Sequence, residues 1–378
     1  MTQRKLVLGD PDNHAAHWHE LVKQHGSPLL VFDRNILNQQ FKSLQQALPG
    51  VELYYAIKAL PHEAVLETLD KLDAGFDVAS SGELELLLKL KVSGRRTIHT
   101  HPIKRDKDIR DALRFGSTTF VVDNIDELKK LVPYRTRIGI LLRVSFRSET
   151  AIVDLSKKFG CVESDVPVLI KEAEKLGLHV KGLSFHVGSQ CKGPEKHIEA
   201  IQHCHELMLK VNQDAKAPLS TLDIGGGFPA DYTLEGFDIN AFCQPIKEAL
   251  DALPRDWHLL AEPGRYLVAP AVTSITTVIG KANRNGVPWY YLDDGVYGSY
   301  SGQIYDHTVY PLQVLKQGDT TPSVLAGPTC DSIDIIAENI DLPELEIGDI
   351  IIGHQMGAYT AATKTRFNLL PDASFIVV

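Results

Sequence analysis

The 378-residue sequence has few cysteines, no long apolar run and no excess of basic residues. Its five cysteines are odd in number and form no C-x-x-C pair, so neither a disulfide framework nor a zinc site is expected. The formal net charge of −9 argues against nucleic acid or an anionic membrane as a partner, because these select basic surfaces. No apolar run approaches the roughly 18 residues of a membrane-spanning helix, and no signal-peptide core follows the N-terminus. We therefore expect a cytoplasmic protein without a metal site.

Strand-like and helix-like runs alternate along the first two thirds of the chain. Predicted helices separate the strands at 62–72, 82–90, 107–115, 165–176, 195–211 and 239–253. Eight strands are predicted at 52–58, 76–80, 97–101, 118–123, 138–144, 180–186, 221–224 and 258–262. This alternation implies parallel strands, and eight units have the size of a (β/α)8 TIM-type barrel. Periodicity alone does not show closure, so a doubly wound open sheet is the alternative.

The alternation of predicted strands and helices stops after Gly264. Short strands at 266–279, 289–292, 350–352 and 373–378 have no long helices between them and predict a mostly antiparallel β domain. The segment before the barrel, with a helical pattern at 14–25, a strand at 29–33 and a helix at 36–47, precedes the alternation. We expect a barrel at 35–265 and a β domain made from 1–34 and 266–378.

Unusual polar residues fall at the ends of the predicted strands. Each has an ordinary structural explanation when taken singly. Lys58 at the end of an apolar strand could simply extend its amine to water, or it could react as a Schiff-base lysine. The set comprises Lys58, Asp77, His186, the glycines 225–227, and Glu262 with Arg265. Because the C-terminal strand ends of such a barrel carry its chemistry, their shared position predicts an active site.

The triple glycine predicts a phosphate site. Glycines let the backbone approach a ligand closely, and successive N–H groups can bind an anion. Phosphate sites after the seventh and eighth strands recur in this barrel, and Ser189 offers a further donor. Pyridoxal 5′-phosphate needs a lysine for its aldehyde, donors for its phosphate and a partner for its pyridine nitrogen. Glu262 is the best candidate for that nitrogen, and His186 for stacking on the ring.

The ordered motifs resemble those of the fold-type III pyridoxal phosphate decarboxylases, which include ornithine and diaminopimelate decarboxylases. In the first part of the chain they are Tyr55-Ala56-Ile57-Lys58, Phe76-Asp77-Val78-Ala79-Ser80, Phe185-His186-Val187-Gly188-Ser189, Asp223-Ile224-Gly225-Gly226-Gly227-Phe228-Pro229 and Glu262-Pro263-Gly264-Arg265-Tyr266. The later ones are Asp294-Gly295-Val296-Tyr297-Gly298-Ser299, Tyr305-Asp306-His307, Gly327-Pro328-Thr329-Cys330-Asp331 and Met356-Gly357-Ala358-Tyr359-Thr360. The resemblance covers nearly the whole chain. It implies an alanine racemase-like fold, a (β/α)8 barrel followed by a β domain.

The resemblance also implies a role for each matching residue. Lys58 would bind the cofactor aldehyde, Glu262 the pyridine nitrogen and His186 the ring face. Cys330 would protonate the substrate Cα after carbon dioxide leaves. The phosphate would be held by Ser189, Gly226, Gly227, Arg265 and Tyr359, and a supporting polar shell would consist of Asp77, Glu83 and Arg143.

Family resemblance further implies a head-to-tail homodimer whose active sites are shared across the interface. Lys58 and Cys330 of different copies would then act together, and Lys158 would pair with Asp334 between copies. Substrate residues would be Asp306, Asp331 and Tyr297, with the two aspartates holding a distal ammonium. This favours L-ornithine, giving putrescine, with lysine second because one methylene discriminates by only about 1–3 kcal/mol.

Some alternatives stay open at this stage. Departures from the ornithine enzymes, at Tyr300-Ser301-Gly302-Gln303 and Ala326, raise lysine, arginine or another diamino acid as the substrate. An amino-acid racemase would share the barrel. A protein similar to the antizyme inhibitors would bind a partner without chemistry, but such a protein is expected to lose cofactor residues that this chain keeps.

Overall fold

The computed structural model describes residues 4–146 and 158–378. Contacts divide these residues into two compact units, one comprising 38–229 with 238–266, and the other comprising 1–37, 230–237 and 267–378. We keep the predicted domain boundaries, 35–265 against 1–34 and 266–378, as a proposal.

The first unit is built on eight parallel strands that close into a barrel. The strands are β3 Val51–Ala56, β4 Gly75–Val78, β5 Thr97–His99, β6 Thr119–Val122, β7 Gly139–Val144, β8 Val180–Phe185, β9 Thr221–Asp223 and β10 His258–Ala261. Around the barrel their order is β10-β3-β4-β5-β6-β7-β8-β9. The predicted barrel is therefore confirmed, and the doubly wound sheet is wrong.

Helices follow most of these strands. In chain order, α1 Ala15–His25 and α2 Arg34–Ala47 come before the barrel strands. The barrel helices are α3 Glu63–Asp70, α4 Ser81–Lys89, α5 Asp106–Phe115, α6 Ile125–Leu131, α7 Val166–Lys175, α8 Glu195–Asn212 and α9 Ile239–Asp251. Helix α6 was not among the predicted helices, although the Asn124 side chain caps it by accepting from the N–H groups of Asp126 and Glu127.

Two predicted strands end or begin elsewhere. Lys58 does not close strand β3, which ends at Ala56; it lies in a 3₁₀ turn, Ile57–Ala59, that follows the strand. The run predicted as a strand at 266–279 instead begins with a helical turn, α10 Arg265–Val268, and the strand starts at Val272. Short apolar runs do not distinguish a buried helical turn from a strand, which explains both errors.

The second unit carries a nine-stranded mixed sheet. Its strands are β1 Leu6–Leu8, β2 Leu29–Phe32, β11 Val272–Arg284, β12 Val287–Leu292, β13 Leu312–Val314, β14 Thr320–Ala326, β15 Ile335–Pro343, β16 Ile350–Gly353 and β17 Ser374–Val377. Helix α1 and the short helix α11 Gly302–Tyr305 belong to the same unit. Most pairings are antiparallel, as expected, while β1 with β13, β12 with β14 and β17 with β2 are parallel. Strands β1, β13, β14 and β15 were missing from the prediction.

Buried aliphatic residues hold each unit together. In the barrel unit, Val121, Leu141 and Leu260 pack together against Tyr54. In the sheet unit, the cluster consists of Leu21, Leu29, Val31, Ile275, Ile350 and Ile352. Within residues 4–146 and 158–378, no helix is long and apolar enough to cross a membrane.

Candidate active site

Lys58 and Asp77 form an ion pair at the C-terminal ends of neighbouring barrel strands. Register pairs Ala56 of β3 with Asp77 of β4, and the 3₁₀ turn then brings Lys58 back toward this carboxylate. The Lys58 Nζ lies 2.5 Å from Asp77 Oδ2, and the Thr100 hydroxyl donates to the other oxygen. The Asp77 side chain has no solvent exposure, whereas that of Lys58 is 42% exposed. The amine is therefore oriented by a buried carboxylate and remains open to a reactant.

Glu83 has a local structural role in addition to its predicted one. Ser80 is the N-cap of α4 and its hydroxyl accepts from the Glu83 N–H, while Glu83 Oε2 accepts from the Ala79 N–H at 2.5 Å. This arrangement stabilises the start of the helix, as in a capping box. Burial, followed by the charge of Asp77, raises the pKa of the Glu83 carboxyl. Its predicted place in the cofactor shell stays a prediction.

Two carboxyl groups, Asp223 and Glu262, lie at the ends of adjacent strands β9 and β10. Asp223 is fully buried and Oδ1 accepts from the Gly225 N–H at 2.9 Å. Burial raises the pKa of Asp223 to about 6. Burial, and then the charges of Asp223 and Asp77, raise the pKa of Glu262 well above its usual range. A cation beside Glu262 would favour the charged form of this carboxyl, and a protonated pyridine nitrogen is such a cation.

Asp223 was not among the predicted site residues. Its position was visible in the sequence, because it opens the motif that contains the triple glycine. Strand pairing brings it beside the end of β10, where Leu260 pairs with Asp223.

His186 follows strand β8 and is neutral at physiological pH. Burial, then the charges of Arg143 and Lys58, lower its pKa well below the ordinary value. Its Nδ1 accepts from the Gly188 N–H at 3.1 Å. Arg143 belongs to β7, and its guanidinium carbon lies 5.7 Å from the centre of the Phe159 ring. A neutral ring can lie against an aromatic cofactor without adding to the positive charges of Arg143 and Lys58.

The glycine loop after β9 is too closely packed for side chains. A Cβ at Gly226 would lie 2.8 Å from the Glu262 carbonyl oxygen and 3.1 Å from His186 Nε2. Gly227 has a φ of +102°, and a Cβ there would lie 2.9 Å from the Gly188 carbonyl oxygen. Both positions therefore require glycine, and a backbone without Cβ atoms is one that an anion can approach closely.

Arg265 lies beside Ser189 and adds a positive charge to the same unit. Its side chain is buried, and Nε and an Nη donate to Ser189 Oγ at 3.3 and 3.0 Å. A guanidinium, a hydroxyl and a glycine loop together have the chemistry that binds phosphate. The lysine, carboxyl pair, neutral histidine and phosphate donors of this unit thus fit pyridoxal 5′-phosphate.

The remaining predicted residues belong to the sheet unit. Tyr297 donates its hydroxyl to Asp331 Oδ2 at 2.5 Å, and its ring stacks on Phe367 at a centroid distance of 4.6 Å. This hydrogen bond lowers the pKa of Asp331 and raises the pKa of Tyr297 to about 12. Asp331 is therefore a carboxylate that is oriented by the Tyr297 hydroxyl and stays negative at neutral pH.

Cys330 is exposed, and its loop is fixed by buried Asp334. Asp334 Oδ1 accepts from the Val296 N–H, and Oδ2 accepts from the Thr329 N–H and hydroxyl. The Cys330 N–H donates to Asn368 Oδ1 at 3.0 Å. Within its own chain Asp334 thus shapes the turn before Cys330, a role that the sequence did not suggest; its pairing with Lys158 of another copy stays a prediction.

Asp306 and Tyr359 lie in loops of the same unit. Thr308 donates its hydroxyl to Asp306 Oδ2 at 3.3 Å. Tyr359 has a φ of 55°, and its carbonyl oxygen accepts from the Thr363 hydroxyl at 2.9 Å. Their predicted roles toward substrate and phosphate stay predictions.

Residues 34–269 match the family described as pyridoxal-dependent decarboxylase, pyridoxal binding domain, which covers more than half of the chain. The chain belongs to this family. Its cofactor is pyridoxal 5′-phosphate, and its reaction is the decarboxylation of a basic amino acid.

Among relatives of this decarboxylase, the lysine/ornithine decarboxylase of Selenomonas ruminantium is 37% identical over 92% of this chain and 88% of that protein. The ornithine decarboxylase of Schizosaccharomyces pombe is 36% identical over 97% of this chain and 84% of that protein. The structure of a lysine/ornithine decarboxylase from Vibrio vulnificus, complexed with putrescine, is 50% identical with a TM-score of 0.91, and the match covers 96% of this chain and 98% of that one.

Proposed function

We propose that the protein decarboxylates L-ornithine to putrescine and L-lysine to cadaverine. The observation that carries this proposal is the 50% identity, over 96% of the chain, to a Vibrio vulnificus enzyme crystallised with each of these two diamines. Arginine is the less favoured alternative, because the match to a viral arginine decarboxylase bound to agmatine is 30% identical. The predicted preference for ornithine over lysine stays a proposal.

The residues of the barrel unit would hold the cofactor. Lys58 would bind its aldehyde, Glu262 its pyridine nitrogen and His186 its ring face, while Asp77, Glu83 and Arg143 would support them. The phosphate would be held by Ser189, Gly226, Gly227 and Arg265 of this unit, and by Tyr359 of the sheet unit. When bound, the cofactor supplies an electron sink for the pair of electrons that remains on Cα as carbon dioxide leaves.

The protein groups would then control charge and proton position. Asp77 orients the Lys58 amine, and the carboxyl of Glu262 would keep a proton on the pyridine nitrogen. Cys330 would deliver its Sγ proton to the substrate Cα after the bond to the carboxylate has broken. The electron pair left on Cα would take up this one proton, and the thiolate would later regain a proton from water.

Two carboxylates would select the distal ammonium of the substrate. The negative charge that Tyr297 stabilises on Asp331 supports charge-assisted hydrogen bonding, and Asp306 would supply the second oxygen acceptor. Because one methylene is worth only about 1–3 kcal/mol of discrimination, turnover of both diamino acids is expected.

We further propose that the active unit is a homodimer. Cys330 and its loop would act in the site of the neighbouring copy, as the family resemblance implies, and the exposure of Cys330 in the single chain is compatible with this. No second macromolecular partner is needed for the chemistry.

Carbon dioxide release from ornithine, lysine, arginine, diaminopimelate and diaminobutyrate tests the proposal. We expect turnover of ornithine and lysine with kcat/KM values within about two hundredfold of each other, which is the range that one methylene allows. The proposal fails if neither is decarboxylated, and it is corrected if arginine is the best substrate. Chiral analysis of the recovered amino acid measures racemase activity. We expect no racemisation.

A further inference from the structure

A fully buried histidine on helix α8 is hydrogen-bonded to the glycine loop that follows strand β9. His197 lies in the first turn of α8, and its side chain has no solvent exposure. Its Nε2 lies 2.9 Å from the carbonyl oxygen of Gly226, which is 29 residues further along the chain. Because a carbonyl oxygen can only accept a hydrogen bond, Nε2 carries the proton. The donor therefore comes from outside the loop.

The His197 ring is neutral and is held between two aromatic neighbours. Its centroid lies 5.4 Å from that of Phe228 and 6.1 Å from that of Phe242, which it meets at its edge. Burial lowers the pKa of His197 to about 4. Among the described residues Nδ1 has no hydrogen-bond partner, so the one proton of the neutral ring serves the bond to Gly226.

Each carbonyl group of the glycine loop is bound, and the middle one is bound by this imidazole. The Gly225 carbonyl accepts from the Glu262 N–H at 2.7 Å, and the Gly227 carbonyl accepts from the Cys191 N–H at 3.1 Å. Those two partners are main-chain groups. The partner of the Gly226 carbonyl is a side chain, so a substitution can remove it.

This hydrogen bond sets the direction of the Gly227 N–H group. The Gly226 carbonyl and the Gly227 N–H belong to one planar, trans peptide unit and therefore point in opposite directions. Glycine restricts backbone rotation less than any other residue, so the orientation of this unit depends on its contacts. With the carbonyl directed to His197, the Gly227 N–H is directed away from helix α8.

We propose that His197 is a positioning residue for the cofactor phosphate, which turns the Gly227 N–H toward the anion by holding the Gly226 carbonyl. The inference rests on the proposed binding of the phosphate by this loop. His197 would touch neither the phosphate nor the substrate, and would act through one peptide unit. A donor that is already oriented loses little freedom when the anion binds, and this favours binding.

The test compares His197→Phe, which keeps a ring and removes the donor, with His197→Gln, whose side-chain amide supplies an N–H donor again. His205→Phe is the matched control, because His205 lies on the same helix and its ring packs against Trp257. The full-length apoprotein of each variant is titrated with pyridoxal 5′-phosphate and with pyridoxal, which lacks the phosphate. Cofactor absorbance gives the Kd values, and thermal unfolding establishes that each variant is folded.

We expect His197→Phe to raise the Kd of pyridoxal 5′-phosphate about tenfold, or about 1.4 kcal/mol, which is within the usual net value of one hydrogen bond. The Kd of pyridoxal should change less than about twofold, because pyridoxal has no phosphate for the loop to bind. His197→Gln should stay within about threefold of the wild type for both compounds. His205→Phe should match the wild type.

A role of His197 in packing alone predicts the reverse order of the two variants, because an apolar ring suits a site between two phenylalanines better than an amide does. A larger rise in Kd for His197→Gln than for His197→Phe therefore overturns the inference. So does an unchanged Kd in His197→Phe, or an equal rise for pyridoxal and its phosphate. If His197→Phe does not fold, His197→Met, which is apolar and adaptable, must weaken binding of the phosphate form selectively for the inference to stand.

The same titrations separate this inference from the proposed function. Wild-type protein that binds pyridoxal 5′-phosphate no more tightly than pyridoxal overturns the proposed phosphate site and this inference together. Wild-type protein that binds the phosphate form selectively, but decarboxylates neither lysine nor ornithine, overturns the proposed function and leaves this inference intact.

Discussion

At the scale of single residues, the chemistry depends on how Asp77 holds Lys58. The carboxylate is fully buried and is bound by both the Lys58 amine and the Thr100 hydroxyl. A buried charge with two donors is well satisfied, so Asp77 is rigid and its partner is constrained. The lysine at the end of an apolar run is thus neither simply solvated nor unpaired.

Asp77→Asn tests this constraint. The amide keeps the shape and one acceptor oxygen but removes the charge that orients the amine. We expect kcat for lysine and ornithine to fall about tenfold or more, with the protein still folded, because a misplaced amine slows each step in which it takes part. Steady-state kinetics and cofactor absorbance measure this. Asp251→Asn, at an exposed ion pair with Lys247, is the control; an unchanged kcat in Asp77→Asn would refute the role.

The sequence identified some site residues better than others. Lys58, His186 and the triple glycine stood out because each is unusual at the end of a predicted strand. Asp223 did not, because its role depends on the pairing of β9 with β10, which puts it near Glu262. The hydrogen bonds of Asp334 depend on the path of a loop and were equally invisible.

At the scale of elements, strand positions were predictable and strand ends were not. The eight barrel strands follow from alternating apolar runs, and each was found within a few residues of its predicted place. Ends are set by local turns, such as the 3₁₀ turn at Lys58, which periodicity does not encode. The sheet unit was predicted less completely. Strand β13 pairs with β1 and β16, which are distant in the chain, and β14 and β15 carry polar residues that break the apolar pattern.

Strand β5 ends in a histidine that is buried in its neutral form. His99 has no solvent exposure, stacks on Phe120 at 5.7 Å, and among the described residues neither ring nitrogen has a hydrogen-bond partner. Burial, and then the charges of Lys104 and His101, lower its pKa to about 3. The unfolded state therefore binds more protons than the folded state between about pH 6.5 and pH 3.

This difference makes His99 a source of acid sensitivity. At pH values above the pKa of His99 in the unfolded state, the histidine is neutral in both states and costs no stability. As the pH falls toward its pKa in the folded state, protonation of the unfolded chain lowers the free energy of unfolding. When the pH falls from 7 to 5, the free energy of unfolding of the wild type should therefore decrease by roughly 2 kcal/mol more than that of His99→Phe. Chemical denaturation at both pH values measures it. His258→Phe, at an exposed strand position, controls for the added ring; equal pH dependence in His99→Phe and wild type would contradict the assignment.

At the scale of the whole molecule, the proposed chemistry is divided between the two units. The cofactor residues from Lys58 to Arg265 belong to the barrel unit, while Tyr297, Asp306, Cys330, Asp331 and Tyr359 belong to the sheet unit. Barrel and sheet were predictable because hydrophobic periodicity reports them. Assembly was not, because it depends on a surface that only a second copy would cover, and it entered through family resemblance.

Mixing two inactive variants tests whether sites are shared between copies. Lys58→Ala and Cys330→Ala remove groups that would meet only across an interface. Dissociation and random reassociation of equal amounts should restore about a quarter of wild-type activity, because about half of the dimers are mixed and each has one intact site of two. Each variant treated alone is the control. Activity no higher than the sum of the separate variants would argue for sites within single chains.

The most direct test of the account is to locate the lysine that binds the cofactor. Reduction of the loaded protein with borohydride fixes the cofactor covalently to its lysine, and peptide mass mapping then identifies the residue. We predict one modified peptide, containing Lys58, and none in Lys58→Ala. Attachment to another lysine, such as the buried Lys104, or no attachment in protein that decarboxylates ornithine or lysine, would contradict the account.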